Sequence, residues 1–288
     1  MDQLLRELVP GAGPLTHIAR VTGGDISEAY ALETGTRTFF CKVQDAGRGK
    51  AMFEAEVRGL DVLRAYFPRV PAALGTGVWQ GRACLVLEWL AEGPPRADRW
   101  ARLGEGLARL HLGVAPEGSP AFGFPEDNFI GSLPQDNHPE KDWPTFYVRR
   151  RLLPLLRQGV TRGLFISKTL DQVGVLEGRL GSLFPPTLPA LLHGDLWSGN
   201  TRLGPDGDLW IFDPAVYRGH REMDLGMTRL FGGFPPAFYE AYAYHYPPDP
   251  GWAERVDLCQ LYPLLVHALL FGGSYVRQCG AILDAYTG

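Results

Sequence analysis

The chain has 288 residues, 45% hydrophobic and 21% charged, with a formal net charge of −4. That length supports a sizeable core in one large domain or two lobes, and the balance excludes a mainly disordered protein. The mild acidity gives no general attraction for nucleic acid or anionic lipid, so neither partner is expected.

Residues 2–9 are expected to form a short helix stopped by Pro10. This amphipathic start has no basic region leading an apolar run, so no signal peptide is read. The longest apolar stretch, 261–271, is interrupted by Pro263 and His267 and is too short to span a bilayer. A cytoplasmic location is therefore expected. Residues 18–32 and 36–43 are strand-like and separated by short glycine turns. In 50–66, Met52, Phe53, Val57, Leu60 and Leu63 recur near helical spacing. Residues 78–90 read as a hairpin turned at Gln80-Gly81. The four cysteines, Cys41, Cys84, Cys259 and Cys279, are scattered without a CxxC pair, which suggests neither a zinc site nor a disulfide framework.

The segment AEGPPRAD, 91–98, is the linker candidate. Beyond it helices are expected at 99–112, 143–158, 167–182, 235–246 and 252–279, with a Gly/Pro-rich loop over 114–137. The fold class is thus α+β. A small antiparallel-sheet N-terminal lobe with one helix (1–90) would be hinged to a larger, mainly helical C-terminal lobe (91–288). Substrates would sit in the cleft between them.

The chemistry concentrates in LLHGDLWSGNTRLGPDGDLWIFDPAVYRGHREMDL, 191–225. Asp195 follows a short apolar run and so emerges at a strand or turn end. A carboxylate there can accept the proton of an attacking hydroxyl and align it on a phosphate. Asn200, five residues on, offers a neutral oxygen for a divalent metal, and Asp213, after LWIF, the hard anionic oxygen that Mg²⁺ favours. Singly each residue reads as part of a polar turn; the three spacings together point to phosphoryl transfer.

HGDLWSGN followed by IFDPAVYRGHREMDL resembles the fructosamine kinase family, within the wider aminoglycoside phosphotransferase-like and protein-kinase-like folds. Trp197, the DPA triplet and Tyr217 with REMDL mark the narrower family. The likeness continues through MFEAE, GFPEDNFIGSLPQDN and DWPTFYVRRRLLPLL, over nearly the whole chain. It implies Asp195 as catalytic base, with Asn200 and Asp213 as metal ligands. Lys42, inside the strand FFCKV, would hold nucleotide phosphates beside a helix carboxylate. Glu56 is the favoured carboxylate and Glu54 the alternative. Gly23, Gly24 and Ser27 resemble the loop over ATP phosphates. The carbonyl of Glu88 and the N–H of Leu90 would bind adenine.

Trp197, Tyr217, Glu222 and Asp224 would contact the sugar and its cationic amine. The opposing readings are core packing for the two aromatics and a helix cap for Asp224. His193 is expected to orient the catalytic loop, and His220 stands where related sequences usually carry Asp. Arg149, Arg150 and Arg151 fan around one helix, giving a solvated face with one buried ion pair. Asp127, Asn128 and Asn137 are expected in a lid or wall over the acceptor site.

The resemblance implies an ATP- and Mg²⁺-dependent ketosamine 3-kinase acting on O3 of a fructosamine, ribulosamine or erythrulosamine adduct, carried by a small amine or a protein lysine. Removing the adduct this way is deglycation. The competing readings are a kinase of another small hydroxylated amine, a protein kinase, and a nucleotide-binding regulator without turnover. HGD in place of HRD and the absence of an APE motif count against the protein kinase. The preferred sugar and the oligomeric state are left open by the residues alone.

Overall fold

The computed structural model describes residues 1–21, 27–113 and 121–288. They divide into two compact units: Met1–Arg99 with Asn200–Pro214, and Trp100–Gly199 with Ala215–Gly288. The sequence alone puts the boundary after residue 90.

The first unit is built on a five-stranded antiparallel sheet in the order β1-β2-β3-β5-β4. Its strands are β1 (Leu15–Val21), β2 (Glu28–Thr34), β3 (Thr38–Asp45), β4 (Ala73–Trp79) and β5 (Arg82–Glu88). Gln80 and Gly81, with φ of 51° and 73°, make the tight turn between the last two. Helix α1 (Asp2–Leu8) covers one face, where Leu4, Leu5, Phe39, Cys41, Val43, Cys84 and Val86 share a buried cluster. Side chains alternate across a strand, so Lys42 points to the opposite face, towards helix α2 (Ala46–Arg64).

The hairpin of β9 (Thr201–Leu203) and β10 (Leu209–Ile211) belongs to this unit because its backbone bonds lead there. Ile211 N–H donates to the Arg69 carbonyl, Gly93 N–H to that of Gly204, and Arg96 N–H to that of Gly207. Arg69 also pairs with Asp206 at 2.8 Å and with Asp208 at 2.5 Å.

The second unit contains α3 (Arg99–Leu112), the hairpin β6 (Asn128–Ile130) and β7 (Leu133–Gln135), α4 (Trp143–Phe146), α5 (Leu153–Thr161) and α6 (Lys168–Leu183). It continues with β8 (Ala190–Leu192), paired to β11 (Tyr217–Gly219), then α7 (Glu222–Leu230), α8 (Pro236–His245), α9 (Val256–Phe271) and α10 (Ser274–Thr287). Its core draws on Phe146, Tyr147, Leu152, Leu192, Tyr217, Leu258 and Leu265.

Three expectations are corrected. The helix expected at 252–279 is two helices, because Gly272 and Gly273 take φ of 69° and 64° and turn the chain between them. The helix expected at 143–158 carries a π-helical turn over Tyr147–Leu152. Pro154 has no N–H for the carbonyl four residues back, and the Arg151 guanidinium bonds that Arg150 carbonyl instead, at 3.2 Å. The loop expected at 114–137 contains the β6–β7 hairpin. Among the described residues no helix is long and apolar enough to cross a membrane.

Candidate active site

In the first unit, three charged groups meet on the α2 side of the sheet. Lys42 Nζ donates to Glu56 Oε1 at 2.6 Å and also to Asp213 Oδ1. Glu56 is the partner; Glu54 lies nearer solvent, 3.8 Å from Lys50. Burial pushes the Lys42 ammonium down, but the charges of Asp213 and Glu56 outweigh it and hold it above its ordinary value. Burial, helped by Asp213, pushes the Glu56 carboxyl up to about 7, against the pull of Lys42.

Asp213 takes a left-handed φ of 56°, a region that Asp enters more readily than most non-glycine residues. Strand pairing explains its placement. Asn200 immediately precedes β9 and Phe212-Asp213 immediately follows β10, with Phe212 N–H donating to the Asn200 carbonyl at 3.2 Å. The carboxamide and the carboxylate therefore stand at the same end of one hairpin. These hard, oxygen-only donors fit Mg²⁺, and the Asp213 side chain keeps 29% of its surface exposed.

Asp195 lies in the second unit, on a loop held from beneath. His193 N–H donates to Asp224 Oδ2 at 2.8 Å and Gly194 N–H to Asp224 Oδ1 at 2.9 Å. Asp195 N–H donates to His193 Nδ1 at 3.2 Å, so this nitrogen carries no proton and His193 orients the loop. Gly194 has φ of 84°, and a Cβ there would fall 2.0 Å from the Ala215 carbonyl oxygen, so only glycine fits. Asp224 is in turn bonded by His111 Nε2 at 3.1 Å, whose Nδ1 meets the Tyr242 hydroxyl at 2.8 Å. Burial opposes ionisation of Asp224, but His111 and the backbone donors outweigh it and hold the carboxyl below its ordinary value.

This geometry changes three of the four expected substrate contacts. Asp224, 1% exposed, is taken up by the His193 and Gly194 amides and His111, and it lies in the first turn of α7, whose N-cap position is Arg221. Glu222, 0% exposed, forms a two-bond pair with Arg255 at 2.6 and 2.8 Å. Tyr217, 1% exposed, lies against the buried Arg151 guanidinium, 4.1 Å from its ring centre. Each is engaged by a partner distant in sequence, which the local motif does not reveal. Trp197 alone of the four keeps partial exposure.

Of the three arginines at 149–151, Arg151 is the fully buried one, and the ion pair falls to the half-buried Arg150. Arg151 bonds Asn137 Oδ1 at 2.7 Å and the Asp136 carbonyl, not a carboxylate. Its neighbour Arg150 takes Asp136 at 3.0 Å and Glu140 at 2.6 Å. Asn128 and Asn137 are buried parts of a continuous amide network. Asn128 Nδ2 donates to the Val216 carbonyl at 2.8 Å, Gln135 Nε2 to the Ala215 carbonyl at 3.1 Å, and Tyr262 Oη to Gln135 Oε1 at 2.8 Å. The 126–137 hairpin thus fixes the backbone that follows Asp213-Pro214. Burial pushes the Tyr262 hydroxyl up to about 12, with Arg151 opposing and the Asp195 charge adding to it.

Sequence reasoning missed His111, Gln135, Arg255 and Tyr262; the signal for Gln135 and Tyr262 was a polar group in an otherwise apolar hairpin or helix, while His111 and Arg255 sit among other polar residues and give none. His220, Glu222 and Asp249 bring ligand atoms within 4.8 Å of one another. Arg255 already neutralises Glu222 and Arg221 already neutralises Asp249 at 2.9 Å, so a cation would enter beside two guanidinium groups. Gly23 and Gly24 lie outside the described residues. Ser27 sits at a bend before β2. Glu88 closes β5, its N–H donating to the Ala72 carbonyl at 2.9 Å, and Leu90 is buried.

The fructosamine kinase family model matches residues 2–287. The chain belongs to the fructosamine kinase family. Family membership makes it a kinase, a phosphotransferase with an alcohol group as acceptor. A Synechocystis protein described as a ketoamine kinase is 40% identical over 91% of this chain and 88% of its own length. The Arabidopsis thaliana chloroplastic protein-ribulosamine 3-kinase is 37% identical over 96% of this chain and 84% of its own. A crystal structure described as a fructosamine-3-kinase from Thermobifida fusca superposes with a TM-score of 0.85 at 35% identity, covering 99% of this chain and 98% of that one. Aminoglycoside phosphotransferase APH(4)-Ia, at 14% identity and a TM-score of 0.61, shares the fold.

Proposed function

We propose that this kinase transfers the γ-phosphoryl group of ATP to the O3 hydroxyl of a ketoamine, a fructosamine-, ribulosamine- or erythrulosamine-type adduct on a small amine or a protein lysine. The observation that carries the reading is the meeting of Lys42, Glu56 and Asp213 on one side of the sheet. A lysine anchored by a helix carboxylate is fixed to bind phosphate oxygens, and its second partner stands beside Asn200 at a hairpin end.

Lys42, held by Glu56, grips the α- and β-phosphates. Asn200 and Asp213 would hold Mg²⁺, which supplies charge neutralisation on the phosphates when bound. Glu88 and Leu90 offer backbone groups to adenine, and Gly23, Gly24 and Ser27 cover the phosphates. Asp195 accepts the hydroxyl proton and aligns the oxygen for in-line attack. Asp224, His193 and His111 fix the loop bearing that carboxylate. Trp197 offers a ring face to the sugar. Enolisation of the 3-phosphorylated ketoamine expels its 3-phosphate as inorganic phosphate, and water then hydrolyses the resulting imine to the free amine and a deoxy-dicarbonyl sugar, the deglycation step; the reaction belongs in the cytoplasm.

The test is ATP consumption with ribulose-, erythrulose- and fructose-lysine, with mass spectrometry to locate the phosphate. Transfer to O3 of at least one is expected, and Asp195→Asn should abolish it while leaving nucleotide affinity near normal. Transfer only to aminoglycosides or choline, or full turnover by Asp195→Asn, refutes the reading.

A further inference from the structure

Beyond Trp197, aromatic rings continue in a row within the second unit. Trp197 meets Phe231 edge-on with centroids 5.3 Å apart, and Phe231 lies 4.8 Å from His267. His267 lies 5.1 Å from Tyr275 and 5.6 Å from Phe271. The row starts on the loop that carries Asp195. A Cβ at Gly199 would fall 2.2 Å from the Trp197 indole, so the ring lies over that loop only because residue 199 has no side chain. His267 Nδ1 donates to the Pro263 carbonyl at 2.8 Å, which sets the plane of the central ring.

Two members of the row are placed by one repeated tetrapeptide. Leu-Phe-Gly-Gly occurs at 230–233, closing α7, and again at 270–273, closing α9. Gly232, Gly233, Gly272 and Gly273 have φ of 87°, 73°, 69° and 64°, and a Cβ at any of them would meet nothing within 4 Å. These glycines therefore serve backbone direction rather than close packing. Each pair turns the chain away and leaves its phenylalanine at a helix end. The row is also partly open, with Trp197, Phe231, His267 and Tyr275 half-buried and Phe271 54% exposed. Single exposed aromatics are ordinary; a contiguous, partly open row leading from the Asp195 loop is a candidate binding surface.

We infer that this row is the subsite for the amine-borne part of the ketoamine. The inference rests on the ketoamine kinase reading and adds which portion of the substrate the enzyme selects. The sugar lies at the Trp197 end. Its secondary ammonium attracts the ring faces, and the carbon chain of the amine runs along Phe231, His267, Tyr275 and Phe271. The row discriminates by apolar area, so it favours a lysyl or aromatic amine over a bare methylamine.

The test compares two ketoamines bearing the same sugar, ribulosyl-methylamine and ribulosyl-Nα-benzyloxycarbonyl-lysine, on wild type, Phe271→Ala, Tyr275→Ala and Phe271→Trp. Phe271→Ala and Tyr275→Ala should each raise KM for the lysine compound about fivefold to tenfold, the worth of one aromatic contact. Their kcat, and both constants for the methylamine compound, should stay within about twofold, and Phe271→Trp should restore KM. Equal effects on both compounds, or on neither, overturn the inference while leaving ketoamine phosphorylation intact. A wild type inactive on both, and on the fructosyl and erythrulosyl forms of the same two amines, overturns that reading, and this inference with it.

Discussion

Glu222 offers the sharpest test of how the motif REMDL is used, because its sequence context and its structure assign it different work. Its carboxylate is 0% exposed and takes two bonds from Arg255, at 2.8 and 2.6 Å, while Arg255 is 7% exposed and also donates to the Pro250 carbonyl at 3.0 Å. Glu222→Gln keeps the shape and removes the charge, leaving a buried guanidinium facing a neutral amide. Breaking a buried pair from one side costs about 3–5 kcal/mol. For a chain of this size that lowers Tm by roughly 10 °C. Arg255→Met should cost a similar amount, and Glu222→Met with Arg255→Met should recover most of the loss, since an apolar pair leaves no charge behind. Urea unfolding of the four proteins, with steady-state kinetics at 20 °C or below as a temperature where all are folded, separates stability from binding. The expected result is a large loss of stability in each single variant with KM for the ketoamine unchanged. A Glu222→Gln protein of wild-type stability with a raised acceptor KM would refute the structural assignment.

Asp224→Asn tests the support of the loop that carries Asp195. The amide can accept from one of the two N–H donors of His193 and Gly194 but presents its NH₂ to the other, so kcat should fall on the order of 10²-fold through misplacement of Asp195. KM for ATP should hold steady; a parallel rise would contradict this. Lys42→Met removes the cation between Glu56 and Asp213, and nucleotide affinity by calorimetry should fall about tenfold or more, the worth of a charged hydrogen bond; unchanged affinity would sink the phosphate-binding role.

His220 predicts acid sensitivity. Burial, with Arg221 and Arg255 nearby, depresses its pKa from 6.5 to about 3 against the pull of Asp249. A depressed folded-state pKa gives stability that is full above pH 6.5 and lost as pH falls towards 3, in all roughly 5 kcal/mol. The Tm of His220→Phe should therefore fall less steeply than that of wild type between pH 6.5 and 4; parallel curves would contradict it.

Much of the molecule was legible from local pattern. Strand alternation around Lys42, helical spacing across 50–66 and the Gln80-Gly81 turn all depend on neighbours a few residues away. The spacing of Asp195, Asn200 and Asp213 pointed to phosphoryl transfer for the same reason, since hairpin pairing follows from short-range register. The choice of Glu56 over Glu54 was half legible: two residues apart on a helix they face different ways, but only packing of α2 on the sheet selects one.

The residues that misled are those whose partners come from far along the chain. Asp224 lies 113 residues from His111, Tyr262 lies 127 from Gln135, and Glu222 lies 33 from Arg255. A polar side chain in a motif looks the same whether it will meet a substrate or a buried cation. From sequence alone the protein carries its fold class and the spacing of Asp195, Asn200 and Asp213, because periodicity and turn chemistry act over a few residues. Tertiary structure alone decides which polar groups are sealed inside and which stay open, because burial and its compensating charges come from segments that only folding brings together.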